Sequence, residues 1–248
     1  MIVKQVQYAF QILEFFATRR NPATLSEISD HFGWPRSSTF NLIETLSLGG
    51  YLYEPKFRAG YYPTRKLFKL AHDTIVDGPI SERLRACVVN IAARTDETAA
   101  LCALSGPQTV FVEVVESSSP IRYFAHIGQR VPTEATSAGR ALLSILSRKE
   151  RGAILRKCDL RRYAPASLMS IDELEEEIEA SKARGWAQNI NGFEPDLVGL
   201  AVPLHLGERQ FSLMVAGPSY RVLDRIPELI QILLDEVGHY LRERGEHD

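Results

Sequence analysis

The sequence contains little cysteine and no long apolar run. Its 248 residues include three cysteines, Cys87, Cys102 and Cys158, which lie far apart and form no C-x-x-C pair. A scattered, odd set of thiols predicts neither a disulfide framework nor a thiolate zinc site. No apolar run reaches the ~18 residues of a membrane span, and the N-terminus lacks a signal-peptide cleavage pattern. We therefore expect a cytoplasmic protein without a membrane partner.

Common catalytic and phosphate-binding motifs are also missing. The sequence has no G-x-x-x-x-G-K-[ST], no G-x-S-x-G and no H-E-x-x-H, the patterns of P-loop proteins, α/β-hydrolases and zinc proteases. Four of the histidines, His72, His126, His205 and His239, are scattered along the chain. We accordingly predict no metal and no cofactor.

The charge is small in total but unevenly distributed. The formal net charge is −2. Residues 1–72 carry 9 Lys and Arg against 5 Asp and Glu, a net of +4, and residues 73–248 carry 20 against 26, a net of −6. A basic first third followed by an acidic remainder is typical of a DNA-binding head on a body with a different role.

The segment from Leu25 to Leu48 has the pattern of two short helices with a tight corner between them. Gly33 permits a left-handed corner, and Pro35 favours the start of a helix that begins at Arg36. The second helix has an inward stripe at helical spacing, formed by Thr39, Leu42, Ile43 and Leu46. This pattern predicts a helix-turn-helix, whose second helix enters the DNA major groove.

The polar face of that second helix and the following hairpin supply the candidate DNA contacts. Small hydroxyls and amides bond phosphates and base edges, and Asn pairs well with adenine. Gly49-Gly50 ends the helix, and short strands at 51–53 and 61–62 enclose a basic turn, which predicts a wing. The candidates are Arg36, Ser37, Ser38, Phe40, Asn41, Glu44, Thr45, Lys56 and Arg58. The alternative is an ordinary solvated helix face and loop.

Further periodicity extends this head and connects it to a second domain. A helix at 4–19 completes a three-helix head, and its remaining apolar residues Ile2, Val6 and Phe10 are candidates for a dimer surface. We predict a DNA-binding domain at 1–63, a connecting helix at 64–77 and a body at 78–248. The body patterns predict helices at 80–95, 137–147, 171–184 and 223–244, and strands at 98–105, 109–115, 121–125, 186–191, 197–206 and 210–216. Helices grouped around an antiparallel sheet make an α+β domain.

Several motifs carry a family resemblance along nearly the whole chain. GWPRSSTFNLI at 33–43 and GGYLY at 49–53 mark the helix start and the entry into the wing. IGQRVPTEATSAGRALL at 127–143 is the most specific motif, and RGWAQNINGFEPDLVGLAVPL at 184–204 is the second. With Gly217-Pro218 at the close of the last strand, the chain resembles the IclR family of bacterial transcriptional regulators.

The resemblance implies a winged helix-turn-helix joined by a helix to a GAF-like ligand-binding domain. It also implies a homodimer paired through the heads, which in some members doubles into a homotetramer through the bodies. The implied partners are double-stranded operator DNA and a small effector, which is an organic acid or an aromatic compound, and we expect it to carry a carboxylic acid group. The implied role is control of a catabolic operon.

The resemblance further implies where the effector binds. The expected contacts are Thr136, Ser137, Ala138, Gly139, Arg140, Asn189, Leu197, Gly199, Met214 and Ala216. Relatives that bind small oxo-acids tend to have an acid at 189, a cysteine at 199 and serines at 214 and 216. This chain replaces those groups with an amide, a glycine and apolar side chains, so we expect a larger or more apolar effector, a class that includes aromatic acids. Its carboxylate would meet backbone N–H groups at 137–139, with Arg122 and Arg140 as candidate charge partners.

A departure in the second helix of the helix-turn-helix leaves an alternative open. Phe40-Asn41 stands where the family commonly has a basic residue, so the operator sequence does not follow from relatives. Phe40 either touches a thymine methyl or packs on the wing.

A second hypothesis for the chain is an enzyme with a DNA-anchoring head. The named pocket positions offer hydroxyls without an evident base, which disfavours that reading. A third is a ligand-free dimerisation module.

Overall fold

The computed structural model describes residues 2–57, 59–76 and 82–245. The chain divides into two compact units, Met1–Pro79 and Ile80–Asp248, which we call the head and the body. Arg58, one of the candidate DNA contacts, lies outside the described residues. Within the described ranges, no helix combines the length and the apolar character needed to cross a membrane.

The head is a winged helix-turn-helix. Its elements are α1 (Lys4–Arg19), α2 (Leu25–Phe32), α3 (Arg36–Leu48), β1 (Leu52–Tyr53), β2 (Tyr62–Pro63) and α4 (Lys66–Val76). A capping box starts α2, because Thr24 accepts from the Glu27 amide while the Glu27 side chain accepts from the Thr24 amide. Gly33 ends α2 at φ +65°, the left-handed conformation that glycine adopts without steric cost. The strands β1 and β2 pair antiparallel to form the wing.

The three helices and the wing share one small core. Ile12, Phe16, Ile28, Ile43 and Leu52 are each at most 2% exposed. They come from α1, α2, α3 and β1, so each element contributes an apolar side chain to the same cluster. Full burial of one such side chain stabilises the fold by about 1.5–3 kcal/mol, which explains why these short elements hold together.

The body is an α+β domain, as expected. Its helices are α5 (Glu82–Thr95), α6 (Ser137–Ser144), α7 (Arg148–Leu155), α8 (Ile171–Arg184), α9 (Ser219–Val222) and α10 (Ile226–Gly245). Its strands are β3 (Thr98–Ser105), β4 (Gln108–Val115), β5 (Arg130–Pro132), β6 (Ala187–Ile190), β7 (Leu197–Leu206) and β8 (Arg209–Pro218). In the described part of the body these strands form one antiparallel sheet in the order β5-β4-β3-β8-β7-β6.

The two faces of this sheet bury different helices. Successive strand residues point to opposite faces, so Leu101, Leu200 and Leu213 pack on one side with α5 and α10. Ala201 and Met214 point to the other side, where they pack against the apolar side chains of α6. The candidate effector residues of the strands lie on this second face.

The strand predicted at 121–125 is wrong. These residues have no strand conformation. The strand that pairs with β4 at that edge of the sheet is β5 instead. Side chains bond their carbonyl groups: Thr98 Oγ1 donates to Tyr123 O at 2.7 Å, and Arg221 Nη2 donates to Ile121 O at 3.1 Å. This apolar segment therefore bonds to the start of β3 and to α9 without pairing as a strand.

The helix predicted at 137–147 is shorter in the structure. It ends at Ser144, and Ser147 begins α7 with a second capping box, accepting from the Glu150 amide. Because a cap residue has non-helical backbone angles, Ser147 belongs to the start of α7 and cannot continue α6.

Candidate functional site

The helix α3 exposes the residues proposed to contact DNA. Arg36, Ser37, Ser38, Phe40, Asn41, Glu44 and Thr45 are all exposed, and Phe40 is 44% exposed. Thr39 and Ile43, by contrast, are buried against the head core, and Leu42 and Leu46 are half-buried. At the wing, Lys56 is also exposed. The helical period thus separates an inward stripe from an outward polar face as predicted.

The outward face of α3 is not uniform. Ser38, Asn41 and Thr45 border a groove of about 730 Å³ together with apolar side chains of α1 and α4. Thr45 Oγ1 is already used, since it donates to Asn41 O at 2.7 Å. Ser37, Phe40 and Glu44 do not border the groove. Asn41 therefore lies between the groove and the side of α3 that points away from it.

The N-terminal end of α3 has no side-chain cap. Pro35 occupies the N-cap position at φ −59° and ψ 135°, and it has no side chain that can accept a hydrogen bond. The helices α2, α6, α7 and α8, in contrast, each carry a Ser or Thr cap. The first amides of α3 are consequently available to an external anion such as a phosphate.

Seven of the ten candidate effector residues surround one small cavity in the body. These seven are Thr136, Ser137, Asn189, Leu197, Gly199, Met214 and Ala216. The cavity has a volume of about 30 Å³, which is room for about one water molecule. The arrangement brings together the start of α6 and three strands that are distant in the sequence.

Strand register explains why these distant residues meet. Asn189 of β6 lies opposite Gly199 of β7, which lies opposite Ala216 of β8. The three residues thus form one row across the sheet, on the face covered by α6. Met214 lies two residues from Ala216 on β8 and points to the same face.

The start of α6 forms one side of the cavity. A Cβ atom placed on Gly199 would lie 2.7 Å from Ser137 Oγ, so glycine at this position allows α6 to approach β7. Thr136 Oγ1 accepts from the Gly139 amide at 3.2 Å and donates to Pro132 O at 3.1 Å. Among the described residues no hydrogen bond from the Ser137 or Ala138 amide is found. Two of the three amides proposed for a carboxylate are thus open, and the third is occupied by the cap.

Asn189 lines the cavity, but its amide group is committed to the protein. Its Nδ2 donates to Ala135 O at 2.6 Å, while its Oδ1 accepts from the amides of Gly192 at 2.9 Å and Phe193 at 3.1 Å. These bonds fasten the turn after β6 to the loop before α6. Asn189 therefore shapes the cavity wall and holds the backbone of Phe193 in place, while the Phe193 side chain stays free of this bond.

The other three candidate effector residues do not line the cavity. The side chain of Ala138 packs in the core beneath α6, and a Cβ on Gly139 would collide with Thr133 O at 2.0 Å. Arg140 is 5% exposed, and its guanidinium donates to Glu134 O and Gln188 O at 3.0 Å each. Arg122, the other proposed charge partner, forms an ion pair with Glu116. Neither arginine therefore offers its charge to a ligand in the cavity.

Three aromatic residues complete the cavity wall and were not among the candidates. They are Phe111, Tyr123 and Phe193. Burial raises the pKa of Tyr123 to about 12, so its hydroxyl remains protonated at neutral pH and can donate a hydrogen bond. The position of Phe193 next to Glu194-Pro195 of the second motif was the available sequence signal. No sequence pattern connected Phe111 or Tyr123 to the site.

The cavity wall carries no ionisable group apart from this tyrosine, within the described residues. The nearby Glu134 is 4% exposed, and burial raises the pKa of its carboxyl group. A ligand in the cavity would therefore meet aromatic rings, a methionine, hydroxyl groups and the open backbone amide of Ser137. This combination suits an uncharged ring with a small anionic or polar substituent.

The chain matches known regulators along its length. The models of the bacterial transcriptional regulator IclR C-terminal domain and of the IclR helix-turn-helix domain match residues 72–239 and 5–55. The HTH-type transcriptional regulator XynR of Escherichia coli (strain K12) is 27% identical over 203 residues, which cover 82% of this chain and 81% of XynR.

Solved structures share the fold. The crystal structure of the Thermotoga maritima IclR has a TM-score of 0.76 at 23% identity, covering 97% of this chain and 98% of that chain. An IclR homolog complexed with 4-hydroxybenzoate, from Microbacterium hydrocarbonoxydans, has a TM-score of 0.68 at 21% identity, covering 95% of this chain and 97% of that chain. Since the C-terminal family model alone spans more than half of the sequence, the chain belongs to the IclR family of bacterial transcriptional regulators.

Proposed function

We propose that this regulator senses an aromatic carboxylic acid in the cavity under α6 and thereby controls its binding to an operator. The observation that carries the proposal is the cavity wall, which combines Phe111, Tyr123 and Phe193 with Ser137, whose backbone amide donates no hydrogen bond among the described residues. Rings stack on the aromatic walls, and the N-terminal end of a helix of eight residues attracts a carboxylate. The IclR homolog complexed with 4-hydroxybenzoate supports this ligand class.

The cavity must widen to hold such a ligand. Its volume of about 30 Å³ is far below the ~300 Å³ at which ligand pockets begin. The half-buried Phe193 and Tyr123 form the part of the wall that rotation of side chains could displace. We propose that the effector selects this wider state, and that its higher affinity for that state shifts the population.

A thermal-shift screen of the full chain against aromatic and aliphatic carboxylic acids tests the ligand class. A ligand that binds only the folded state raises the unfolding midpoint by mass action. We expect hits among hydroxylated benzoic acids. Hits confined to small oxo- or hydroxy-acids would contradict an aromatic effector, and the absence of any hit would favour a ligand-free dimerisation module.

Replacing Met214 and Ala216 together by serine should weaken binding of an aromatic hit. The change removes apolar wall and adds hydroxyl groups, so we expect a loss of more than about 1 kcal/mol in binding free energy, or at least about five-fold in Kd. Isothermal titration calorimetry measures the Kd of each variant for the aromatic hit. His205→Ser on the exposed end of β7 is the control, and equal affinities in the two variants would exclude these residues from the site.

For DNA, we propose that α3 and the wing bind the operator. The uncapped N-terminal end of α3 offers its amides to a phosphate, and the exposed Ser37 and Asn41 can bond base edges. Lys56 at the wing supplies a positive charge for the DNA backbone. Selection from a random duplex library with the full chain identifies the operator sequence.

The double substitution Ser37→Ala with Asn41→Ala should reduce operator specificity. Loss of contacts to base edges costs about 1–3 kcal/mol per bidentate pair, so we expect the affinity for the selected duplex to fall at least about five-fold. Fluorescence anisotropy with the selected and a scrambled duplex measures the ratio. Affinity for the scrambled duplex and the thermal midpoint should stay unchanged. An unchanged ratio of selected to scrambled affinity would contradict a role of Ser37 and Asn41 in sequence recognition.

We also propose a homodimer paired through the heads. The groove between α1, α3 and α4 is apolar, and Val6 and Phe10 on its border are 55% and 62% exposed. An exposed apolar surface of this kind typically marks an interaction site. Two heads in a symmetric dimer would read two half-sites, with the dimer geometry setting their spacing. Pairing of the bodies into a tetramer remains part of the proposal.

The relatives that match this chain are transcriptional regulators, and we infer that it has no enzymatic activity. The hydroxyls of Thr136 and Ser137 have no histidine or carboxylate base among the cavity residues. We place the protein in the cytoplasm, where it would control a catabolic operon.

A further inference from the structure

The C-terminal end of α3 has no cation of its own. The helix stops at Gly49-Gly50, and its last turn contains no basic residue. Three of its last four carbonyl groups accept from the amides of residues 49–51, and the end of the helix carries a partial negative charge. The position of this end matters, because α3 is the element proposed to enter the major groove.

Residues at the start of α4 bind this end of α3. Lys66 Nζ donates to Gly49 O at 2.6 Å, and Thr64 Oγ1 donates to Gly50 O at 2.6 Å. The Thr64 amide donates to Tyr51 O at 2.9 Å. Three consecutive carbonyl groups after α3 thus receive hydrogen bonds from residues 64–66.

The ammonium group of Lys66 has a second partner. It lies 4.7 Å from the centre of the Tyr51 ring, within the range of a cation–π interaction. Lys69, one turn further along α4, differs from it, because its ammonium group pairs with Asp73 on the same helix at 2.9 Å. Lys66 therefore connects two elements of the head, whereas Lys69 makes a local pair.

We propose that Lys66 is a positioning residue for operator recognition, which clamps the C-terminal end of α3 to the start of α4. This inference rests on the proposed DNA-binding role of α3. The clamp fixes the tilt of α3, so that its side chains stay in register with base edges. A lysine that contacted DNA phosphate directly would instead strengthen binding to every sequence alike.

The test compares Lys66→Met, Lys66→Arg and Lys69→Met in the full chain. Met keeps the apolar stem of lysine and removes the donor, Arg keeps a donor and a charge, and Lys69→Met removes the same charge from the same helix. The probes are the duplex that the wild-type chain selects and a scrambled duplex. Anisotropy titrations at several salt concentrations give both affinities and their salt dependence.

We expect Lys66→Met to lower the ratio of specific to scrambled affinity about five-fold, because a charge interaction at a helix end has about this size. The dependence of log affinity on log salt concentration should keep its slope. Lys66→Arg should restore most of the ratio, and Lys69→Met should leave it intact. Hydrogen exchange at residues 49–53 should accelerate in Lys66→Met and not in Lys69→Met.

Either of two results would overturn the clamp and leave the proposed DNA-binding function standing. One is an unchanged ratio and unchanged exchange in Lys66→Met. The other is an equal loss of both affinities with a salt slope smaller by about one, which identifies a phosphate contact. A wild-type chain that selects no sequence would overturn the proposed DNA-binding function and the clamp together.

Discussion

Gly139→Ala is expected to destabilise the body by about 3 kcal/mol or more, the upper range for forced overpacking. A Cβ atom at Gly139 would lie 2.0 Å from Thr133 O and 2.6 Å from Thr133 Cα. Both are backbone atoms, so no side chain can rotate away, and α6 itself must move off the loop before it. Urea denaturation of the full chain measures the loss as a lower midpoint for the body.

Gly152→Ala is the matched control, because Gly152 is also helical but open. Its nearest neighbour would be Arg156 Nη1 at 3.4 Å, the end of a flexible side chain. Alanine in a helix interior is favoured over glycine by about 0.5–1 kcal/mol, so this variant should be neutral or slightly more stable. If the two variants had equal midpoints, the close approach between Gly139 and Thr133 would be contradicted.

Phe10→Glu is expected to convert the proposed dimer to a monomer. Phe10 borders the apolar groove of the head and is 62% exposed in the single chain. Burying a carboxylate against apolar side chains costs several kcal/mol, so the heads should no longer pair. Operator affinity should then fall by about 100-fold or more, because two linked half-site contacts become independent. Sedimentation velocity gives the mass, and anisotropy with the selected duplex gives the affinity.

Gln7→Glu serves as the control for added charge. Gln7 is exposed on the same helix but does not border the groove. This variant should keep both the mass and the operator affinity of the wild type. A Phe10→Glu chain that sediments like the wild type would show that the heads pair elsewhere, or that the protein is not a dimer through this groove.

Local sequence signals predicted most of the fold. Gly33, Pro35, Gly49-Gly50 and the apolar periods placed α1, α2, α3 and α8 within a residue or two of their observed ends. These signals act over three or four residues, so one sequence contains them completely. They failed at 121–125, where the backbone partners are Thr98 and Arg221 side chains from other parts of the chain.

The candidate site divides in the same way. The family resemblance implied Thr136 and Ser137 in the motif at 127–143 and Met214 and Ala216 on the last strand, all of which line the cavity. Arg140 was proposed from the same motif, yet its guanidinium faces two backbone carbonyls. Residue type alone does not distinguish a charge offered to a ligand from one that fastens a loop.

The sequence by itself determined the family, the winged helix-turn-helix, the antiparallel body and the polar face of α3. The family rests on the resemblance of its motifs, and the other three depend on periodicity and turn residues that are local in the chain. Only the tertiary structure decided that the Asn189 side chain bonds to the turn at Gly192. It also decided that Phe111, Tyr123 and Phe193 complete the cavity. The contact of Lys66 with the end of α3 likewise became visible only there. Strand register and helix packing bring these residues together from distant parts of the chain. Such contacts produce no periodic pattern in the sequence.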